Sequence, residues 1–258
     1  MTLRPKLPWL SPDRIAFPDP RDAWQAPDGL LAAGGALTVP WLLAAYRGGI
    51  FPWFDDDAGP LLWWSPDPRA GLHPASMHVP KRLGRSIRSA YKIGRYRASA
   101  DAAFAEVVSA CAGPRRDGSG TWITPAMQQA YQALHASGHA HSIEIWESDA
   151  LIGGIYGVAV GTVFCGESMF SHRPGSSKLA FYTLCRHLAQ QGFTLLDAQM
   201  PTSHLASLGV TPISRERYLQ IVAGRAQHDH CLGRWQLAPD HARIAPSEQQ
   251  SPTGTGNE

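Results

Sequence analysis

The chain has 258 residues, of which 44% are hydrophobic and 17% charged, and its formal net charge at pH 7 is +2. This apolar share is large enough to form a buried core, and the 25 Gly and 21 Pro are spread between apolar runs, so wholesale disorder, collagen and coiled-coil architectures are excluded. The longest uncharged apolar stretch, 151–166, is shorter than the about 20 residues that a membrane helix requires. Because the first residues also lack the apolar core of a secretory signal, we expect a cytoplasmic protein.

The cysteines and histidines do not predict a metal site. The four cysteines are far apart and form no C-x-x-C pair, which indicates reduced thiols and neither a disulfide framework nor a thiolate zinc site. His139, His141 and Glu144 lie close together in sequence but supply too few fixed ligands for zinc. No P-loop or dinucleotide fingerprint is present, so the sequence predicts neither a metal nor a cofactor.

The first part of the chain, residues 1–75, is rich in Trp, Pro and Gly and predicts a small N-terminal domain. It contains one helix candidate, residues 40–47. Pro40 stands at the start of this segment and Gly48 follows its end, as is typical of helix boundaries.

A strongly basic segment follows between Pro68 and Ala100, with eight Lys and Arg and no acidic residue. The spacing predicts a helix that begins after Pro80 and ends at Gly94. Its cations are Lys81, Arg82, Arg85, Arg88 and Lys92, and all but Arg82 follow one helical face. Such a stripe suits a nucleic-acid phosphate backbone, and a solvated helix face is the alternative.

The second part, residues 76–233, alternates helix and strand patterns. Helices are predicted at 101–112, with Ser99 or Asp101 as the N-cap, and at 125–137, 176–191 and 215–223. The period changes to two at 141–147 and 151–166, which predicts two strands joined by a turn at 148–149, and residues 193–199 predict a further strand. The fold class is therefore α+β, with a mixed sheet that is antiparallel at its centre. Residues 234–258 lack periodicity and are predicted to be a disordered tail.

Ten short strings at characteristic spacings resemble one known family, and they are GLLAAGGAL, AYRGGIFPWF, WWSPDPR, GTWIT, AHSIEIW, GGIYGVAVG, GESMFS, SSKLA, DAQ and HLASLG. In this combination they resemble the leucyl/phenylalanyl-tRNA-protein transferases, over roughly residues 28 to 220. The resemblance implies a two-domain enzyme with an acetyltransferase-like C-terminal domain. It also implies that leucine or phenylalanine moves from aminoacyl-tRNA to proteins that begin with Arg or Lys, which marks them for degradation.

Asp197 and Gln199 stand two residues apart at the end of a predicted strand, so their side chains should share a face. The resemblance implies that this pair is catalytic. A neutral amide is a poor base, so we expect Gln199 to accept a hydrogen bond from the attacking amine while Asp197 orients it. A polar strand end facing water is the alternative. The family often has Cys between the two, and Ala198 here argues against a thiol nucleophile.

Glu167 interrupts an apolar series, and a buried carboxylate needs a partner. We expect it to receive the cationic N-terminus or the Arg or Lys side chain of the acceptor protein. An ion pair with a basic residue of the fold itself is the alternative.

The donor needs a pocket for its amino acid and a platform for its terminal adenine. The predicted pocket is apolar and consists of Ile155, Phe164, Met169, Leu184 and Leu196. Aromatic side chains stack on unpaired bases, and the candidates are Trp53 and Trp122, assisted by Tyr46 and Tyr131. For each residue in both sets, a place in the core is the alternative.

Two other functions remain open. The segment 115–120 (RRDGSG) fits the R-x-x-G-x-G pattern of acetyl-CoA-dependent N-acetyltransferases, although it does not join a strand to a helix as that pattern requires. A non-catalytic module that binds tRNA is the second alternative.

Overall fold

Two β-sheets organise the chain in a computed structural model that describes residues 6–113, 121–226 and 229–244. The smaller sheet lies in the N-terminal part and has the strand order β1-β2-β4-β3. Its elements, with helix α1 between the second and third strands, are β1 (Trp9–Leu10), β2 (Leu30–Gly34), α1 (Val39–Arg47), β3 (Phe51–Pro52) and β4 (Leu62–Trp64).

The larger sheet has seven strands in the order β11-β5-β10-β9-β8-β7-β6. Its strands are β5 (Arg69–Leu72), β6 (Tyr96–Ala100), β7 (Ala140–Glu147), β8 (Ala150–Val160), β9 (Val163–Ser171), β10 (Leu195–Asp197) and β11 (Thr211–Ile213). Neighbours pair antiparallel except β9 and β10, which are parallel. The predicted α+β class with a centrally antiparallel, mixed sheet is confirmed.

Helices cover both faces of the larger sheet. They are α2 (Lys81–Ile93), α3 (Phe104–Cys111), α4 (Pro125–Ala136), α5 (Ser176–Gln190), α6 (Ser203–Ala206), α7 (Arg215–Arg225) and α8 (Pro239–Ala242). One core joins α3, α4, α7 and the N-terminal part, and a second core joins α2, α5 and the C-terminal segment. No helix of the described ranges has the length and hydropathy needed to cross a bilayer.

Several helix boundaries follow the predicted capping. Thr124 and Ser214 accept hydrogen bonds from the backbone N–H groups of Met127 and Arg217, at the starts of α4 and α7. Gly94 ends α2 in the left-handed conformation, with φ +64°. These local signals were readable because a cap depends on only three or four consecutive residues.

The stretch 151–166, predicted as one strand, instead contains a hairpin. Strand β8 ends at Val160, the chain turns at Gly161–Thr162, and β9 begins at Val163. Gly161 has φ +54°, and a Cβ there would collide with the carbonyl of Arg225 at the end of α7. Gly161 is buried against the end of α7 and Thr162 is half-buried. A single Gly-Thr pair inside a long apolar run is a weaker turn signal than the polar clusters of exposed turns.

Asp101 does not cap α3, as the sequence predicts it could. The N-terminus of that helix has no side-chain cap. The Asp101 carboxylate instead accepts hydrogen bonds from the backbone N–H of Ser142 at 2.9 Å and of Trp235 at 2.8 Å, and it contacts Nδ1 of His141 at 2.9 Å. The partners of Asp101 are 40, 41 and 134 residues away in the chain, so the residues next to it do not indicate them.

Elements of the structure extend across both limits predicted for the domains, at residues 75 and 233. Strand β5 begins at Arg69 and pairs with β10 and β11, so the larger sheet starts before residue 75. The predicted disordered tail is wrong for residues 234–244, because Trp235, His241 and Ile244 are buried there. The rest of the predicted tail lies outside the described residues.

Candidate active site

A β-bulge places Glu167 at the centre of the site. Strand β8 pairs with β9 through Tyr156 and Ser168 and then through Gly157 and Gly166, so Glu167 has no partner residue. A bulge of this kind re-aims the side chain of the extra residue.

The parallel strands β9 and β10 separate next to this bulge. Their pairing ends where Asp197 meets Cys165, whereas β9 continues to Ser171. Beyond Asp197 the chain pairs with β5, with a hydrogen bond from the Ala198 N–H to the Ala70 carbonyl at 2.8 Å. Gln199 takes the left-handed conformation, with φ +60°. The predicted strand alternation of Asp197 and Gln199 is therefore wrong.

Three hydrogen bonds hold the Glu167 carboxylate. The hydroxyls of Tyr46 and Tyr131 donate to it at 2.9 and 2.6 Å, and Nε2 of Gln199 donates at 2.9 Å. These four residues are called the Glu167 cluster below. Because Tyr46 lies on α1, the N-terminal part of the chain contributes directly to the site.

The Glu167 cluster contains no cation. Burial raises the pKa of Glu167 to about 7, against the hydrogen bonds from Tyr131, Tyr46 and Gln199, which favour the charged carboxylate. Burial, reinforced by the nearby Glu167 charge, also raises the pKa values of Tyr46 and Tyr131, so both remain protonated donors. The ion pair considered as an alternative for Glu167 does not occur within the described ranges.

Asp197 stands in a different arrangement, called the Asp197 cluster, with Arg69 and Tyr218. Arg69 donates from Nε and Nη2 to the two carboxylate oxygens at 3.2 and 2.7 Å, and the Tyr218 hydroxyl donates at 2.8 Å. Arg69 and Asp197 are 1% and 0% exposed. Burial opposes the charge of Arg69, but the attraction of Asp197 outweighs it and raises the pKa of Arg69 above its ordinary value.

Asp197 reaches Gln199 only through the backbone. Its Oδ1 accepts a hydrogen bond from the Gln199 N–H at 2.9 Å, while the Gln199 side-chain amide is held by Glu167. The expectation that the carboxylate directly orients this amide is corrected accordingly. Asp197 fixes the backbone, and Glu167 fixes the side chain.

The predicted adenine-stacking residues fall into two groups. Trp53 and Trp122 are half-buried, and Trp53 packs edge-to-face on Trp64 with ring centroids 5.3 Å apart. Tyr46 and Tyr131 are 1% and 0% exposed, so neither ring offers a face to a base in this structure. Their hydroxyls hold Glu167 instead.

The five predicted pocket residues belong to the core between α5 and the larger sheet, with Leu184 on the helix and the other four on the strands. Four of them, Ile155, Phe164, Leu184 and Leu196, are buried. Met169 is half-buried and stands two residues after Glu167 on β9, next to the strand separation. The set is thus continuous from the core to the site.

The basic residues of α2 lie on its solvent side. Arg82 and Arg85 line a cavity of about 680 Å³ between α2, the start of α5 and Tyr96. Arg95 and Lys178 complete the basic lining, which has no acidic side chain among the described residues. Lys81, Arg88 and Lys92 lie outside the lining of this cavity.

Sequence reasoning missed Arg69 and Tyr218 as partners of Asp197. In the sequence Arg69 belongs to the basic segment, and its position beside the apolar residues of RAGL is the one local signal that it is buried. Tyr218 comes from α7 and had no local signal. The R-x-x-G-x-G pattern at 115–120 lies outside the described residues.

His141 and Glu144 have partners of their own. His141 stacks on Trp235, with ring centroids 3.9 Å apart. Glu144 accepts hydrogen bonds from the hydroxyls of Ser142 and Ser99. In the portion of the chain that is described, no group of three His, Cys, Asp or Glu side chains could hold a metal ion.

Two family models match this chain. One, described as leucyl/phenylalanyl-tRNA protein transferase, matches residues 72–223, and the other, that family's N-terminal domain, matches residues 35–67. The chain belongs to the leucyl/phenylalanyl-tRNA–protein transferase family. It is therefore a transferase enzyme.

Two relatives in this transferase family align with most of the chain. The leucyl/phenylalanyl-tRNA–protein transferase of Aromatoleum aromaticum is 49% identical over 229 residues, which cover 89% of this chain and 94% of the relative. That of Solidesulfovibrio magneticus is 46% identical over 245 residues, which cover 93% of this chain and 96% of the relative.

Solved structures show only a distant likeness. A GCN5-related N-acetyltransferase from Kribbella flavida is 14% identical, with a TM-score of 0.37 over 66% of this chain and 59% of its own. L-PGS from Bacillus licheniformis is 12% identical, with a TM-score of 0.38 over 66% of this chain and 54% of its own. Likenesses of this size carry no argument about function.

Proposed function

We propose that the enzyme transfers leucine, phenylalanine or methionine from aminoacyl-tRNA to the N-terminal α-amine of proteins that begin with Arg or Lys, creating a degradation signal in the cytoplasm. The observation that carries the proposal is the pairing of Glu167 with Gln199 where β9 and β10 separate. There, two polar groups face each other beside the apolar side chains beneath α5.

Aminolysis of the aminoacyl ester needs alignment more than a strong base. An α-amine has a pKa near 7.7 to 8.0, so roughly a tenth to a fifth of it is unprotonated at pH 7. Holding two reactants in the attack geometry supplies roughly 7–11 kcal/mol. The site is therefore expected to act chiefly by positioning the amine against the ester carbonyl.

The hydrogen bonds of Gln199 define what its side chain offers to the amine. Its Nε2 donates to the Glu167 carboxylate, so the amide oxygen is the group left to accept a hydrogen bond from the acceptor amine. Asp197 holds the backbone at this position. As the amide bond forms and the ester C–O bond breaks, the proton lost by the amine passes through water or the neighbouring ribose hydroxyl to the ribose oxygen that leaves.

Glu167 supplies the negative charge for the acceptor. Its two oxygens accept three hydrogen bonds, whereas a carboxylate has about four acceptor positions. The remaining position can take the terminal ammonium or the basic side chain of the acceptor. No cation of the described fold competes for it.

The donor binds through three further surfaces. Trp53 and Trp122 stack on its terminal adenine. The apolar set that ends at Met169 receives the amino-acid side chain. The cations of α2 contact acceptor-stem phosphates, which carry no sequence information directly, so many tRNA bodies are accepted.

One assay tests the proposal against its rivals. The purified chain is incubated with leucyl-tRNA and a peptide that begins with Arg, and mass spectrometry measures the N-terminus. A Leu-Arg terminus is expected, with no product from the same peptide beginning with Glu or carrying an acetylated Arg. Binding of leucyl-tRNA without consumption indicates a tRNA-binding module, and acetylation from acetyl-CoA indicates an acetyltransferase; either result overturns the proposal.

Trp53 tests the donor side. Base stacking on an aromatic side chain is worth about 1–3 kcal/mol, so Trp53→Ala should weaken the binding of leucyl-adenosine about 5- to 150-fold. Trp9→Ala is the matched control, because Trp9 is 73% exposed and lies outside the site. Equal affinities of wild type and Trp53→Ala would remove Trp53 from the adenine site.

A further inference from the structure

The segment 229–244 lies beyond the region that the family model matches and packs along the α5 side of the larger sheet. We call it the C-terminal strap. Nε2 of His230 contacts the Gln191 carbonyl at 2.7 Å, and the Gly233 N–H donates to the Gly138 carbonyl at 3.3 Å. These two contacts precede Trp235, whose backbone N–H donates to Asp101, and the pair of Arg186 with Asp240 follows it. The strap is therefore fixed to the transferase fold on both sides of Trp235.

Trp235 is 5% exposed and lies among four rings. It stacks on His141 with an interplanar angle of 5°, and its ring centroid is 4.8 Å from His187 and 5.8 Å from Phe193. The fourth ring is Phe164, with a centroid distance of 5.6 Å. Because its indole N–H also donates to the Cys231 carbonyl at 3.0 Å, the orientation of Trp235 is fixed.

Phe164 is held between Trp235 and the backbone of β8. A Cβ at Gly157 would lie 2.6 Å from the nearest ring atom of Phe164, so the ring packs directly against this glycine. Gly157 is two residues from Ile155 and shares its face of the strand, and Leu196 stands opposite Phe164 in the β9–β10 register. Two other predicted pocket residues therefore flank the ring that Trp235 holds.

We propose that Trp235 is a positioning residue that fixes Phe164 as the inner wall of the pocket for the donor's amino acid and so sets the preference between leucine and phenylalanine. This inference rests on the proposed function. With a smaller residue at 235, Phe164 is free to move toward the strap. The pocket then deepens, which favours the larger phenylalanine side chain over leucine.

The test compares Trp235→Leu and Trp235→Phe with wild type, using leucyl-tRNA and phenylalanyl-tRNA as donors. A change of pocket depth by one or two methylene groups alters discrimination between substrates by roughly 10–200-fold. Because Phe164 is expected to move only part of that distance, the ratio of phenylalanine transfer to leucine transfer should rise by about fivefold or more in Trp235→Leu. The KM for the acceptor peptide should stay within about twofold, because the proposed acceptor-binding groups, Glu167 and Gln199, belong to the Glu167 cluster and not to the rings around Trp235. Trp235→Phe keeps an aromatic ring and should restore most of the wild-type ratio.

A control and a double variant separate positioning from general loosening. Asp240→Asn weakens the exposed pair with Arg186 on the same strap and should leave the donor ratio unchanged. Phe164→Leu alone and with Trp235→Leu should give the same donor ratio, because Trp235 acts through Phe164. If Trp235→Leu does not fold, Trp235→Met, which also lacks a ring but fills more of its volume, takes its place in the same double-variant comparison.

An unchanged donor ratio in folded Trp235→Leu (or in Trp235→Met where that variant replaces it), or an equal change in Asp240→Asn, overturns the inference. Additive effects of Phe164 and Trp235 overturn it as well. Failure of the wild-type enzyme to transfer either amino acid is a different result, because it overturns the proposed function itself.

Discussion

Two carboxylates on neighbouring strands differ in the charge of their hydrogen-bond partners. Asp197, on β10, is enclosed with a bidentate Arg69 and is held as an ion pair. Glu167, on β9, receives only neutral donors, and burial raises its pKa to about 7. The difference shows how one sheet can pair one acid with a buried cation for structure and leave another able to change its charge near neutral pH.

The largest effect is expected where the ion pair is broken. Asp197→Ala leaves the buried Arg69 guanidinium without its partner, which costs about 3–5 kcal/mol of unfolding free energy. Urea denaturation measures the loss. Asp240→Ala removes an exposed acid from its pair with Arg186 and should cost below about 1 kcal/mol. Similar losses in the two variants would show that the Asp197 cluster does not stabilise the fold in this way.

Gln199→Ala should chiefly affect the transfer rate. Loss of a positioned hydrogen-bonding group in an active site typically costs about 100- to 1,000-fold in rate, and Gln199 is only half-buried, so stability should change little. Single-turnover transfer at saturating donor and acceptor measures the effect. Exposed Gln220 offers the control, as Gln220→Ala. A change of less than threefold with binding intact would rule out the proposed role of Gln199.

Glu167→Gln tests the charge that changes near neutral pH. Removing one charged hydrogen-bond partner is worth about 1.5–3 kcal/mol, so the KM for the acceptor peptide should rise at least about tenfold while the donor KM stays within about twofold. In wild type the rate should rise with pH through about 7 as Glu167 ionises. The variant should retain only the rise near 7.7–8.0 that belongs to the acceptor amine. Equal increases in both KM values would contradict an acceptor role.

Glu167→Gln should also reduce the loss of folding stability that wild type shows as the pH rises. The folded protein holds the Glu167 proton more tightly than the unfolded chain, since the pKa is raised from 4.5 to about 7. The stabilisation that Glu167 gives to the folded state is therefore fully present below pH 4.5 and is lost as the pH rises through about 7. Between pH 5 and 8 the midpoint temperature of thermal unfolding should fall less in Glu167→Gln than in wild type. Identical pH dependences would place the titration elsewhere.

The smallest effects are expected from the tyrosine hydroxyls. Tyr131→Phe and Tyr46→Phe each remove one donor from Glu167, so the pH midpoint of the rate should move upward by roughly one unit. The shift should be larger for Tyr131, whose bond is 2.6 Å against 2.9 Å. Tyr156→Phe is the control, because that hydroxyl is buried without a hydrogen-bond partner in the described structure. A comparable shift in the control would mean that ring packing is responsible.

Sequence patterns predicted what depends on near neighbours in the chain. The boundaries of α2, α4 and α7 follow from Gly94, Thr124 and Ser214, because capping involves a few consecutive residues. The buried turn at Gly161 was missed, since its geometry is imposed by the end of α7. The packed strap was missed for a related reason, because its binding surface is contributed by distant segments.

The sequence by itself determined the family, the α+β class and the residue types of the site, including Glu167, Asp197 and Gln199. Only the tertiary structure decided which groups meet: Arg69 with Asp197, and Gln199 with Glu167. The physical reason is that a bulge in the β8–β9 hairpin, the separation of β9 from β10 and the left-handed conformation of Gln199 aim these side chains, and the spacing of the polar residues specifies none of the three. The spacing of residues along a regular strand predicts which face of the sheet their side chains share, whereas the pairing of strands decides which side chains they contact.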